Sequence, residues 1–321
     1  MNGEIAVIGA GVAGTFCARG LLDAGFRVTV FDKGRSIGGR LAQRRRAGAV
    51  FDHGAQFFRA RDPLFERLLQ AGVQAGGIAR WPAAEVDERR TYIGTPSMAT
   101  PLKMLLGDLP VATDCRIAEL VHRGAGWWLV DAADTRHGPF TAVVLAIPPV
   151  QACELLAGLG DAAPRRLRDA VGKARLAPCW ALLAAFDPPL DLRGFDARSL
   201  DSGPIAWIAR NTSKPGRAGR DAWTAHASPD WSTAHLEAEP QAAAAMLLAA
   251  FREVTGIGAV SPDHLEAHRW RYARVTVPVG LPALFDAASG LGLCGDWCLG
   301  GNVEAAFLSG RAMVELLREN A

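Results

Sequence analysis

Three groups of residues have types and spacing that could do chemistry. The first is Gly9-Ala10-Gly11-Val12-Ala13-Gly14, with Asp32 and Lys33 further along the chain. Glycines at these spacings suit a nucleotide: Gly9 makes a tight turn, Gly11 lets backbone approach a pyrophosphate, and Gly14 allows a helix to pack closely on a strand. An acid placed as Asp32 is would bond ribose hydroxyls. The second group is the stretch 294–302, Cys-Gly-Asp-Trp-Cys-Leu-Gly-Gly-Asn, with Gly295 and Asp296 at its start and Val303 and Glu304 just beyond it. The third is scattered and consists of polar or aromatic residues near strand edges: Gln56, Arg210, Asn211, His226, His268, Trp270 and Tyr272.

Cys294 and Cys298 invite a metal or a redox disulfide. No nearby second Cys or His pair completes four metal ligands, and thioredoxin chemistry uses C-x-x-C, whereas this spacing is C-x-x-x-C. Both read as small buried apolar residues, and no metal site is expected anywhere. The remaining residues have another use. A strand delivers Gly295 and Asp296 to a turn, and a helix over residues 303–317 then begins with amides pointing outward, a start that attracts negative charge.

The elements that would position these residues are legible. A strand at 4–8, a helix at 12–23 and a second strand ending at Asp32 form a β-α-β unit around the glycine loop. A formal second match, Gly290, Gly292 and Gly295, has no helix directly after its third glycine and reads as a strand entering a turn. After Asp32, Gly38-Gly39-Arg40 turns a loop ahead of a third strand at 48–52, and Arg40 is suited to a phosphate. Helices follow at 63–70 and about 98–106, then a hairpin from 115 to 132 and a buried strand at 141–147. Beyond Gln151 the pattern changes to strands covered by a long Ala-rich helix at 240–254, which suggests an inserted domain. The expected architecture is α/β: a Rossmann-like domain from residues 1–60, 97–150 and 266–321, with an inserted mixed-sheet α+β domain from 61–96 and 151–265.

Bulk properties narrow the function classes. Half of the 321 residues are hydrophobic and the formal net charge is +2, too small for a dedicated nucleic-acid or acidic-membrane surface. The run Arg44-Arg45-Arg46 reads as a solvated loop. Six dispersed cysteines make no disulfide framework, the glycine-rich start lacks a basic leader, and no apolar run spans a bilayer. A cytoplasmic, non-membrane protein is expected; oligomeric state is left open.

The segments "GAGVAG…FDKGRSIGGR", "DHGAQFF" and "CGDW" with its following helix resemble the flavin-containing amine oxidoreductase superfamily. Within it, "GAQFFRARD", "WIARNTSKP", "AHRWRYAR" and "CGDWCLGGNVEAAFLSG" are most similar to bacterial renalases. The resemblance runs nearly end to end. It implies non-covalently bound FAD, with Gly9, Gly11, Val12, Ala13 and Gly14 on the pyrophosphate, Asp32 and Lys33 at the adenine ribose, and Gly39 and Arg40 at the phosphates. Ile117 would lie near adenine, and Gly54, Ala55, Gln56 and Phe57 along the flavin ring. Gly295 and Asp296 would meet the pyrophosphate or ribityl chain, and Val303 and Glu304 the N1/O2 edge.

The resemblance further implies oxidation of 2- and 6-dihydro isomers of NAD(P)H to NAD(P)+ by hydride transfer to flavin N5, with O2 reduced to H2O2. No side chain is expected to act as nucleophile or compulsory base. Gln56, Arg210, Asn211, His226, His268, Trp270 and Tyr272 are the substrate candidates, Arg210 for a substrate phosphate. His226 also suits a satisfied core histidine, and Trp270 suits inter-domain packing. Two alternatives stay open: an FAD-dependent amine oxidase or desaturase-like enzyme, and a non-catalytic FAD redox sensor.

Overall fold

The computed structural model describes residues 3–85, 89–124, 126–192 and 194–320. The chain divides into two compact units, one built from Met1–Gly39, Leu102–Leu176 and Val275–Ala321, the other from Arg40–Pro101 and Ala177–Arg274.

In the first unit, Glu4–Ile8 and Ala142–Leu145 are apolar along almost their whole length, as strands covered on both faces must be. They sit at the middle of a six-stranded sheet whose order is Leu284–Asp286, Leu291–Leu293, Ala142–Leu145, Glu4–Ile8, Arg27–Phe31, Val111–Ala112. All neighbours are parallel except Leu284–Asp286, which runs antiparallel to Leu291–Leu293. The helix Val12–Asp23 follows the first strand, and Val303–Glu319 packs on it so closely that a Cβ on Gly310 would stand 2.3 Å from the Ala13 carbonyl oxygen. The hairpin strands Ile117–Arg123 and Gly126–Asp131 join Arg136–Phe140 in a three-stranded antiparallel sheet.

The second unit centres on a five-stranded sheet in the order Ala197–Ser199, Ile205–Arg210, Asp221–Ala227, Arg175–Phe186, His264–Val277. The mixed strands expected here form antiparallel pairs at three of its junctions. One face carries Trp180, Leu182, Phe186, Ile208, Trp223 and Ala225 into a core with Leu247 and Phe251 of the helix Pro240–Thr255.

Segment boundaries differ from the sequence reading at four segments, and one strand pairs differently. Residues 151–176 pack with the first unit, because Ala152, Leu155, Leu156, Leu167 and Val171 of the helices Pro149–Gly158 and Arg165–Val171 share a core with Ile8, Val143 and Leu145. Residues 40–60, 97–101 and 266–274 pack with the second unit. The third strand exists, as Ala49–Asp52, but pairs antiparallel with Gln43–Arg46 rather than joining the parallel sheet. Val111–Ala112 takes the edge of the parallel sheet beside Arg27–Phe31. No described helix is long and apolar enough to cross a membrane.

Candidate functional site

The glycine loop leaves the parallel sheet at Gly9, whose φ is +109°; a Cβ there would meet the Ala146 carbonyl oxygen at 2.5 Å. A Cβ on Gly14 would lie 1.8 Å from the Gly9 carbonyl oxygen, so the first turn of the helix sits directly on the loop. Gly11 differs from both: nothing lies within 4 Å of where its Cβ would be. Backbone here faces open space and can be approached by a ligand. Gly38 donates to the Ala10 carbonyl, and a Cβ on Gly39 would lie 3.5 Å from the Gly11 Cα, so this loop closes one side of that space.

Asp32 braces this loop. Its Oδ2 accepts from the Ala10 amide at 2.6 Å and its Oδ1 from the Gly34 amide at 2.7 Å. Each carboxylate oxygen has a second lone pair, so the bracing leaves acceptor capacity for a hydroxyl. Lys33 is exposed, and Ile117 is buried at the start of its strand in the core beside the sheet.

At the other end of the chain, Gly295 donates to Ser309 Oγ at 2.8 Å, and Asp296 opens a short helix, Asp296–Leu299, where it is buried. Asn302 caps Val303–Glu319 by accepting from the Ala305 amide at 2.7 Å. The amides of Val303 and Glu304 come before the capped one, at the positive end of a 17-residue helix. Cys294 and Cys298 are buried; the neighbouring Cys17 thiol and then burial hold Cys294 protonated, and burial holds Cys298 protonated.

The second unit brings several sequence candidates together. Period-two alternation along His264–Val277 puts Glu266, His268, Trp270 and Tyr272 on one face. Trp270 Nε1 donates to the His53 carbonyl at 2.9 Å, and His226 Nε2 lies 3.2 Å from the same oxygen. The His53 ring stacks on Trp270 at 5.0 Å between centroids and meets His268 edge-on at 4.8 Å. Arg44 reaches His268 Nδ1 at 2.9 Å and Glu266 at 2.9 Å, so the run expected to be a solvated loop is a paired strand. Burial is the main force lowering all three imidazoles, His53 to about 3 and His226 and His268 to about 4. At neutral pH they are uncharged flat rings.

Beneath His53 lies a buried charge cluster that sequence reasoning missed. Asp52 Oδ2 accepts from Lys214 Nζ at 3.1 Å and Arg217 Nη2 at 2.9 Å, and all three side chains are inaccessible to solvent. Burial pushes the Asp52 carboxyl up, but the two cations outweigh it and hold it below its ordinary value. Asp52 Oδ1, Arg217 Nη1 and His53 Nδ1 are buried without a hydrogen-bond partner in the protein. The only signal in the sequence was Lys214 and Arg217 flanking Pro215-Gly216; no periodicity marks a lysine in a turn as buried.

Three substrate candidates have other duties. Gln56 uses its amide within its own loop, donating to the Asp52 and Gly54 carbonyls and accepting from Lys214. Asn211 is buried, accepts from the Asp52 amide at 2.9 Å and donates to Thr224. Arg210 binds Asp221 at 2.6 Å and the Leu190 carbonyl, so its guanidinium neutralises a buried acid instead of standing ready for a phosphate. Tyr272 is half-buried on the same face as Trp270. Arg40 donates to the Ala273 carbonyl at 3.1 Å, and its own carbonyl accepts from Ala55, with Gly54 too close to it to carry a Cβ. Phe57 packs against Trp207 and under Arg59.

The loop and sheet define a dinucleotide-binding α/β unit accompanied by an antiparallel-sheet unit. A family model for an NAD(P)-binding Rossmann-like domain matches residues 7–71. A 4,4'-diapophytoene desaturase from Staphylococcus aureus (strain Newman) is 45% identical over 51 residues, which are 16% of this chain and 10% of that protein. The chain thus matches about a tenth of the length of that relative. Among solved structures, a chain from Exiguobacterium sp. 255-15 assigned as a protoporphyrinogen oxidase superposes with TM-score 0.76 at 12% identity, over 100% of both chains. Cyclohexylamine oxidase from Brevibacterium oxydans IH-35A gives 0.75 at 14% identity, over 99% of this chain and 100% of that one. A putrescine oxidase variant gives 0.72 at 15%, over 99% of each. The fold is shared with these oxidases along the whole chain.

Proposed function

We propose that the chain is an FAD-dependent oxidoreductase of the amine-oxidase and desaturase type, holding FAD non-covalently. The observation that carries this reading is the open space over Gly11 beside an Asp32-braced loop, in a fold shared end to end with amine oxidases. Residues 9–14 would take the pyrophosphate, Asp32 the adenine ribose, Gly39 and Arg40 the phosphates, and Asp296 the chain beyond. Gly54, Ala55, Gln56 and Phe57 stay proposed for the flavin ring, Val303 and Glu304 for its N1/O2 edge, and Ile117 for adenine.

For the reaction, we favour oxidation of 2- or 6-dihydro-NAD(P) to NAD(P)+. When bound, the flavin supplies the hydride acceptor and the route of electrons to O2, giving H2O2. The chain's task is orientation and exclusion of water. His53, His226, His268 and Trp270 present neutral flat rings, which suit a planar uncharged dihydropyridine. They offer no counter-charge to an ammonium, since Glu266 is paired with Arg44 and Asp52 with two cations. The amine oxidase or desaturase reading draws equal support from the comparisons, and the donor must decide between them.

The cofactor part is tested by purifying the protein aerobically and precipitating it with acid. Yellow colour released wholly into the supernatant supports it. Colour kept in the pellet refutes non-covalent binding, and a colourless protein that cannot be reconstituted with FAD refutes the reading itself.

A further inference from the structure

The first unit contains a group of side chains that the proposed chemistry does not use. Cys115 lies two residues before the strand Ile117–Arg123, Asp131 ends the strand Gly126–Asp131, and His137 lies in the third strand, Arg136–Phe140. Cys115 Sγ stands 3.8 Å from His137 Nε2 and 3.7 Å from Asp131 Oδ2, and the last two atoms are 3.0 Å apart. A tetrahedral Zn2+ with ordinary bond lengths to sulfur, nitrogen and oxygen holds such atoms at edges of about 3.4–3.6 Å. The three donors therefore already form one face of that tetrahedron, to within about 0.4 Å.

Each donor is also held from behind, as the ligands of a metal are. Asp131 Oδ1 accepts from the Ala133 and Thr135 amides at 2.9 Å each, which leaves Oδ2 to point at the other two donors. The His137 ring is held against Phe31 at 5.1 Å between centroids. The Cys115 amide donates to the Asp32 carbonyl at 2.9 Å. All three residues are half-buried, and His137 lines a cleft of about 520 Å³ with Glu4, Arg27, Thr29 and Phe31.

We propose that Cys115, Asp131 and His137 bind one Zn2+, with water at the fourth position. Thiolate, imidazole and carboxylate together suit zinc rather than magnesium or calcium. Without metal, burial and then the Asp131 carboxylate push the Cys115 thiol up to about 11, and it donates to Asp131. On binding, the S–H bond breaks, a Zn–S bond forms, and the proton leaves to solvent; no electrons change hands. The ion would tie the three-stranded sheet to the end of Arg27–Phe31, next to the residue that braces the glycine loop. The site stands whether or not the donor is a dihydronicotinamide, because its test uses zinc alone.

The test is to strip the purified holoprotein with chelator and titrate it with ZnCl2 against a chromogenic zinc indicator. One Zn2+ per chain is expected, with affinity lowered by at least about 100-fold in Cys115→Ala and in His137→Ala, more than loss of a supporting residue costs. Cys153→Ala, a half-buried cysteine elsewhere in the same unit, should bind as the parent does. Binding well below one per chain, or unchanged in Cys115→Ala, overturns the site. Should the alanine variants aggregate, alkylation of the parent protein decides. Zinc should slow iodoacetamide labelling of Cys115 and leave Cys153 unaffected, and equal rates at Cys115 with and without zinc overturn the proposal.

Discussion

Lys214 Nζ lies 3.1 Å from Asp52 Oδ2, and neither side chain has any accessible surface. A lysine loses much of its hydration in such a place, and burial accordingly lowers its pKa despite the adjacent acid. The pair holds together the loop after Asp52 and the turn that carries Arg217, joined through Gln56.

Asp52 serves two cations, so removing it leaves both uncompensated, whereas removing Lys214 leaves Asp52 with Arg217. Asp52→Asn should therefore cost about 3–5 kcal/mol, and Lys214→Met clearly less. Urea unfolding of both variants checks the order. Equal losses, or a larger loss for Lys214→Met, would show that the cluster is not organised around Asp52.

The three lowered imidazoles make stability depend on acid. His53, His226 and His268 stay neutral in the fold down to about 3 to 4, but take up protons near 6.5 when unfolded. Their contribution is thus complete above about pH 6.5 and is lost as pH falls toward 4, at up to about 1.4 kcal/mol per pH unit for each histidine. Urea midpoints measured through this window should fall, and His268→Gln should shallow the slope. A flat profile across it would mean the rings are protonated in the fold.

Gly11 and Gly14 separate folding from cofactor binding. A Cβ on Gly11 meets nothing in the protein, so Gly11→Val should leave thermal stability of the apoprotein near that of the parent while abolishing flavin retention. Gly14→Ala drives a methyl into the Gly9 carbonyl and should damage both. Full flavin content in Gly11→Val would remove this loop from the cofactor site.

Arg210 was read from the sequence as a phosphate ligand, and the structure gives it a different task. Asp221 is buried and accepts from Arg210, Thr212, Trp223 and the Leu190 amide. Arg210→Ala should lower stability by about 1–3 kcal/mol, leaving KM for the donor unchanged. A large rise in KM with unchanged stability would restore the phosphate role.

How far the sequence could be read follows from what kind of signal each part leaves. The strand at 4–8, the helix at 12–23 and the glycine loop were legible because buried parallel strands and close backbone approaches impose local patterns. His226, His268 and Trp270 were legible as polar or aromatic residues at strand edges, and the fold gathers them around His53. Lys214, Arg217 and His53 were not, since a turn has no period and their partners lie far off in sequence. Cys115, Asp131 and His137 were missed for a related reason: they meet only when the three-stranded sheet and the segment before it fold, and their spacing matches no common ligand pattern.

The reading of the donor rests on the neutral ring cluster and is tested most directly by anaerobic stopped-flow reduction of the bound flavin. Saturating 6-dihydro-NAD should bleach the flavin rapidly, at a limiting rate nearly constant between about pH 6 and 9, since a dihydropyridine loses hydride without first losing a proton. Simple amines should leave the colour intact. Reduction by amines but not by dihydronicotinamide isomers, with a rate climbing about tenfold per pH unit, would contradict the account and make the protein an amine oxidase.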